Sequence, residues 1–363
     1  MAITVLVIAF IIPSNKYSAN TIFLTIKAKD KTYTFSELEI GSYNNSFYLK
    51  NASSIVDGIY LDTVIREKNA SISFNPNSQN LFTITKERVG SKIDKEKLLN
   101  DISLALNSAT SIVNANFIPI YPSVTEESLK KETNFRVGFT TYYSGSTNER
   151  KHNIKLASSK INGTVLEIGE EFSFNEKVGI RSEENGFLPA KIIYNGDFVE
   201  GVGGGVCQVS TTLYNASLLC GLKIVEHHPH SLNVSYVEPS FDAMVNSYTS
   251  DLKFVNNTGG RLYISSVADD NKIKISFYGL KQNERYERVS VTLSKEDYLE
   301  YIYEEDETLP LGTSVTVRYP KGSIKSEGYL IKYVNDKRVS NVKIRNDCYG
   351  SIKGIIKISK NQR

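Results

Sequence analysis

At 363 residues the chain is long enough for two or three domains and too long for one compact core, given roughly 100–200 residues per domain. Its 43 basic and 40 acidic residues leave a net charge of only +3 and are interspersed, so the electrostatic footprint of a nucleic-acid binder is missing and nucleic acid is excluded as a partner. Tyr and Ile are frequent, Met is rare, Trp is absent and β-branched residues run throughout, a balance that favours strands with a few helices.

In chain order, residues 1–12 form an apolar run ending at Pro13 with Lys16 as the first charge. The run has the size of a signal-peptide core and is shorter than the roughly 20 residues that span a bilayer. Residues 1–20 are therefore expected to be a signal or membrane-anchor remnant, and the protein to be extracytoplasmic, in the cell wall or anchored to the membrane. A small α+β unit is predicted over 33–124, with helices at 60–68 and 94–106. The second carries Leu98, Leu99, Ile102 and Leu106 on one face and Asp94 as N-cap. Short strands are expected at 71–74 and 81–84, and 119–123, bracketed by Pro119 and Pro122, reads as an extended linker.

A central mixed α+β unit is predicted over 133–280. It opens with a strand at 136–143 and a helix on which Ile154, Ala157 and Ile161 share a face, with Gly163 closing it. It ends in a hairpin whose second strand alternates Ile273, Ile275 and Phe277. The last unit, 284–363, reads as small and all-β, with no chemistry; its acidic run Glu304-Glu305-Asp306-Glu307 reads as a solvated loop. The fold class expected is α+β in three units.

Chemistry concentrates at Gly203-Gly204-Gly205-Val206-Cys207-Gln208-Val209-Ser210. Glycines allow close backbone approach, and from Val209 onward Thr212, Leu213, Ala216 and Leu219 repeat at helical spacing up to Gly221. Cys207 is thus expected at a helix N-terminus, where unpaired amides and the dipole favour a thiolate and can hold an oxyanion. Only three cysteines occur, Cys207, Cys220 and Cys348. A helix of this length separates Cys207 from Cys220 by roughly 20 Å at 1.5 Å per residue, too far for a disulfide. Cys220 and Cys348 read as structural.

Three of the four histidines, His227, His228 and His230, follow about twenty residues on, ahead of an expected strand at 232–236. Alternation would send His228 and His230 to one face, making both candidate bases for the thiol. Asp242 and Asp251 could orient the imidazole or bind substrate. Zinc on Cys207, His228 and His230 is a weaker alternative, because His-Pro-His is not a specific metal signature, and neither metal nor cofactor is expected.

These residues resemble the VanW-like family: Phe172-Ser173-Phe174-Asn175 with Val178-Gly179, the glycine and cysteine run through Ala216, then His230-Ser231, Val234-Ser235-Tyr236-Val237, Asp242-Ala243 and Asp251-Leu252-Lys253-Phe254. One departure is Pro239-Ser240-Phe241, where family members usually carry a glycine and a basic residue. The N-terminal unit resembles the peptidoglycan-binding domain found ahead of such domains, and the C-terminal unit the small wall module named for its five glycines. The resemblance implies a cysteine L,D-transpeptidase acting on peptidoglycan stem peptides, with carboxypeptidase activity when water replaces the amine acceptor. On that analogy Cys207 is the nucleophile, His230 the base with His228 in reserve, and Gly204, Gly205, Val206, Gln208, Ser210, Asp242 and Asp251 line the oxyanion and substrate site. A non-catalytic peptidoglycan-binding or scaffold protein is the alternative, in which the helix N-terminus only holds a carboxylate.

Overall fold

The computed structural model describes residues 24–360 except 109, 195 and 298; the expected signal or anchor at residues 1–20 lies outside the described residues. Among the described residues no helix is long and apolar enough to cross a membrane. The chain is α+β, and the contacts of the described residues divide it into two compact units, residues 24–70 with 86–125, and residues 71–85 with 126–360.

In the first unit, Leu24–Ala28 is the middle strand of three, antiparallel to Lys31–Phe35 and parallel to Ile112–Asn114. Helices Ala52–Thr63 and Lys95–Leu106 cover it, burying Val56, Ile59, Leu98 and Ile102 against Leu24, Ile26 and Val113. Asp94 caps the second helix, accepting from the Lys97 amide at 3.0 Å. Of the helix expected at 60–68 only residues 60–63 are helical, as the last turn of Ala52–Thr63. Beyond Thr63 the chain extends, and Ile65 and Lys68 form bridges to Ser91 and Arg88. The expected linker at 119–123 is partly strand, because Phe117–Ile120 pairs with Gly90–Ile93.

The hairpin of Ser71–Phe74 and Phe82–Thr85 belongs to the second unit, not the first. Phe74 and Phe82 stack on each other at 5.0 Å between centroids, and Phe82 meets Tyr263 edge-on at 5.0 Å. Such aromatic contacts are worth about 1 kcal/mol beyond area burial. Phe82→Ala is expected to lower the unfolding free energy of the second unit by about 2 kcal/mol, read as an earlier urea midpoint by near-ultraviolet circular dichroism.

The second unit is built around a buried helix, Val206–Leu219. It packs across an antiparallel sheet ordered Asn134–Tyr142, Lys272–Gly279, Leu262–Ala268, Val165–Leu166. Helix Asn148–Ile161 lies beside it with Ile154, Ala157 and Ile161 fully buried. The one-sided apolar spacing read from sequence understates this burial, since Thr211, Thr212, Asn215 and Ser217 are also fully buried. They fit because their polar groups bond locally: Thr212 to the Gln208 carbonyl at 2.7 Å, Ser217 to that of Leu213 at 2.8 Å, and Asn215 to that of Thr211 at 2.7 Å.

Residues 284–360 add two small sheets to the same unit. One is ordered Glu284–Lys295, Ile324–Val334, Lys337–Tyr349; the other Tyr301–Asp306, Gly354–Ser359, Ser314–Arg318. The acidic run expected as a loop lies mostly in the strand Tyr301–Asp306, where Asp306 pairs with Lys357 at 2.9 Å. Arg288 of the first sheet reaches back to Asn215 of the buried helix and lies over the Phe139 and Phe241 rings.

Candidate active site

The three glycines each meet a different wall. A Cβ on Gly203 would lie 2.9 Å from Cβ of Arg181; one on Gly204 would lie 2.7 Å from the Lys191 carbonyl; one on Gly205 would lie 3.0 Å from Arg150 Cγ. Gly205, at φ +107, is the N-cap of the buried helix, a backbone conformation that side chains resist. The loop therefore delivers Cys207 to the helix's first turn with Arg150 and Arg181 drawn up against it.

Cys207 is partly exposed, whereas Cys220 is buried and bonded to Arg136 Nε at 3.2 Å and Cys348 is exposed; all three are free thiols. The Val245 carbonyl lies 3.3 Å from Cys207 Sγ and accepts from the protonated thiol. The His230 ring lies beside the sulfur, close enough for each to shift the other's pKa. Burial pushes the Cys207 thiol up, but the His230 imidazolium and the Arg181 guanidinium outweigh it and leave its pKa below the usual value.

His230 is 6% exposed and Asp242 1% exposed. Asp242 Oδ2 accepts from His230 Nδ1 at 2.7 Å and from the His230 backbone amide at 2.6 Å. The ring is thereby turned so that its other nitrogen is free for the thiol, the arrangement a nucleophile, base and orienting group need. Burial pushes the imidazolium down, yet the Asp242 carboxylate and the Cys207 sulfur lift it to about 9. Burial likewise pushes Asp242 up, while the His230 and Arg345 charges and the Tyr349 hydroxyl hold it at about 2.

Other residues expected at the site lie differently. The segment 232–236 is irregular, not a strand, so alternation does not govern the histidines: His230 turns inward to Asp242, and His228 pairs with Glu226 at 2.9 Å, away from the thiol. Cys207, His228 and His230 consequently do not converge as metal ligands. The amides of Val206 and Gln208, expected to hold an oxyanion, already donate to the carbonyls of Gly203 at 3.1 Å and Gly205 at 3.0 Å. The tight glycine turn consumes them. The Gln208 side chain is buried, donating to Thr141 Oγ1 and the Tyr142 carbonyl at 3.0 Å and accepting from Arg150 at 2.8 Å. Ser210 bonds the Ala243 carbonyl at 2.6 Å, fastening the Asp242 segment to the helix. Asp251 accepts from Ser173 Oγ at 2.5 Å and from the Asn175 amide at 2.9 Å. It knots the 172–175 motif to the following strand and does not meet the imidazole.

The turn at Pro239-Ser240-Phe241 places Ser240 at φ +68, a left-handed conformation that costs a non-glycine residue about 1 kcal/mol. The Tyr349 hydroxyl accepts from the Ser240 amide at 2.7 Å, and Ser326 Oγ lies 2.7 Å from Ser240 Oγ. Arg150, Arg181, Arg345 and Tyr349 were not singled out from sequence. For the last two a signal existed: Arg345, Asp347 and Tyr349 occupy successive inward positions of one strand, a polar face where apolar residues are expected.

Residues 149–278 match the family model described as VanW like protein, and residues 23–113 that described as "Putative peptidoglycan binding domain". The chain is 34% identical over 198 residues to the uncharacterized protein YoaR of Bacillus subtilis (strain 168), covering 54% of this chain and 65% of that one. It is 29% identical over 155 residues to the vancomycin B-type resistance protein VanW of Enterococcus faecalis (strain ATCC 700802 / V583), covering 41% of this chain and 55% of that one. The match thus spans less than two thirds of either relative's length. Two solved structures, HP0197-G5 (18% identity, TM-score 0.12, 21% of this chain and 95% of that one) and the IgA1 protease G5 domain (19%, 0.15, 22% and 89%), match too loosely to carry an argument. The chain therefore carries a VanW-like domain at residues 149–278, preceded in sequence by a domain at residues 23–113 that matches the model described as "Putative peptidoglycan binding domain".

Proposed function

We propose that this chain is a cell-wall cysteine acyltransferase, an L,D-transpeptidase that cross-links peptidoglycan stem peptides outside the cytoplasm. The observation that carries the reading is the Cys207–His230–Asp242 line at a helix N-terminus, with the thiol pKa lowered and the imidazole pKa raised. A thiolate and an imidazolium side by side are what acyl transfer through a thioester requires.

In this reading the Cys207 thiolate attacks the carbonyl carbon after the third stem-peptide residue. His230 gives its proton to the departing amine, and the terminal D-residue leaves as the thioester forms. The side-chain amine of a neighbouring stem then attacks the thioester, His230 takes a proton from that amine, and the new amide forms as the thiolate is released. With water as acceptor the product is a shortened peptide. Since the Val206 and Gln208 amides are engaged, the oxyanion falls to the Cys207 N–H in the helix's first turn, with the guanidinium of Arg181 raising the local positive potential.

The test is mass spectrometry of a disaccharide-tetrapeptide incubated with the chain. A dimer joined between third residues, or a tripeptide with free D-residue, supports the reading. Bound but unchanged substrate would favour a peptidoglycan-binding or scaffold role, in which the same helix end only holds a carboxylate.

A further inference from the structure

We infer that Arg345 and Tyr349, on the C-terminal strand Lys337–Tyr349, are positioning residues for the Cys207–His230 pair and act through Asp242. The inference rests on the nucleophile reading of Cys207. Asp242 Oδ2 is taken by His230, and its Oδ1 accepts from the Tyr349 hydroxyl at 2.6 Å and lies 3.3 Å from Arg345 Nη2. Arg345 also donates to the Asp242 backbone carbonyl. Both oxygens of this carboxylate are thus held, one by the histidine and the other by residues more than 100 positions away in sequence.

The environment makes these partners consequential. Arg345 is 5% and Tyr349 1% exposed, so neither can be replaced by water without opening the core. The Arg345 Nε lies 2.8 Å from Asp347 Oδ2, so Asp242, Asp347, Arg345 and an imidazolium at His230 balance in charge. A buried carboxylate stripped of its Oδ1 partners gains proton affinity. Once protonated it no longer favours the imidazolium, and the thiolate loses its counter-charge. The neighbouring strands fix the same segment: Ser290 of Glu284–Lys295 bonds the Pro239 carbonyl at 2.7 Å, and Ser326 of Ile324–Val334 meets Ser240. The strand layer that sequence reading assigned no chemistry therefore sets the aim of the acid that aims the base.

The remaining groups that face this cluster are Arg150 and Arg181 beside the thiol, Tyr214 and Tyr236, and His227 beside Arg345. Substitutions at 345 and 349 leave all of them in the chain. The experiment is the pH dependence of iodoacetamide labelling of the full chain between pH 5 and 10, read on the Cys207 peptide because Cys348 is exposed. Wild type, Tyr349→Phe and the double variant Arg345→Met with Tyr349→Phe are compared, with folding checked by circular dichroism.

The expected result is a midpoint raised by about one unit or more in the double variant, which is roughly tenfold slower labelling below the midpoint, and a smaller rise in Tyr349→Phe. If the double variant does not fold, Tyr349→Phe, which loses one oxygen atom, decides alone. Folded variants with the wild-type profile would overturn the inference and leave the nucleophile reading intact. A wild-type Cys207 that resists label until unfolding would overturn both.

Discussion

Cys207→Ala is expected to reduce turnover of a disaccharide-tetrapeptide by on the order of 10³-fold or more while shifting stability by no more than about 1 kcal/mol. The small structural effect follows from the site: the thiol is partly exposed, donates to the Val245 carbonyl and otherwise lies beside the His230 ring. Cys207→Ser should be nearly as inactive although it keeps a donor in place, because a hydroxyl does not ionise beside an imidazolium near neutral pH as a thiol does. Product formation by liquid chromatography and a thermal melt of the same samples check both halves. A loss of activity that tracked a loss of fold would point to a structural cysteine instead.

Asp242→Asn is expected to damage both chemistry and fold. The replacement is nearly isosteric, but Oδ2 accepts two hydrogen bonds from His230 and Oδ1 faces Tyr349 and Arg345. An amide group presents a donor to one of these two sides whichever way it is turned. Arg345 then keeps only Asp347 as a charged partner in a site closed to water, and breaking a buried pair by removing one member costs about 3–5 kcal/mol. Activity should fall by on the order of 10³–10⁴-fold, because the imidazole is no longer held in the tautomer that serves the thiol. Urea unfolding and turnover measure the two effects separately.

The pH dependence follows with opposite signs for the two partners. His230 is raised to about 9, so its stabilisation is complete below the unfolded value of about 6.5 and is lost as pH rises through about 9. Asp242 is lowered to about 2, so its contribution is present above about 3.9 and is lost as pH falls through about 2. The cluster therefore holds across the neutral range, and turnover is expected to decline on an alkaline limb near pH 9 as the leaving amine loses its proton donor. In Asp242→Asn that limb should move to lower pH.

Much of the architecture was legible because local rules act locally. The Asp94 cap, the helix carrying Ile154, Ala157 and Ile161, and the alternation of Ile273, Ile275 and Phe277 all report near-neighbour chemistry. The misses have tertiary causes. Residues 60–68 show helical spacing, but Ile65 and Lys68 are drawn into bridges with Ser91 and Arg88. The hairpin at 71–85 lies between first-unit segments in sequence, yet its Phe74 and Phe82 pack on Tyr263 of the second unit.

At the site, Cys207 and the pair His228 and His230 could be named from residue type and spacing, while His230 alone is singled out only by the family resemblance; the structure brings His230 to Asp242 and beside Cys207. His228 could not be separated from His230 by spacing, because the separation depends on an irregular backbone and on Glu226 capturing one ring. The engagement of the Val206 and Gln208 amides is a property of the glycine turn's geometry, invisible in composition. Arg345 and Tyr349 arrive from a strand that looks inert until its inward face is seen to be polar.

The most direct test of the central claim is intact-protein mass spectrometry of the chain quenched in acid shortly after mixing with a disaccharide-tetrapeptide, with Cys207→Ala alongside. A covalent adduct with the mass of the substrate less its terminal D-residue, mapped to Cys207 and absent from the variant, is the expected result. Full consumption of substrate with no adduct on Cys207 at any time, or equal turnover by Cys207→Ala, would contradict it.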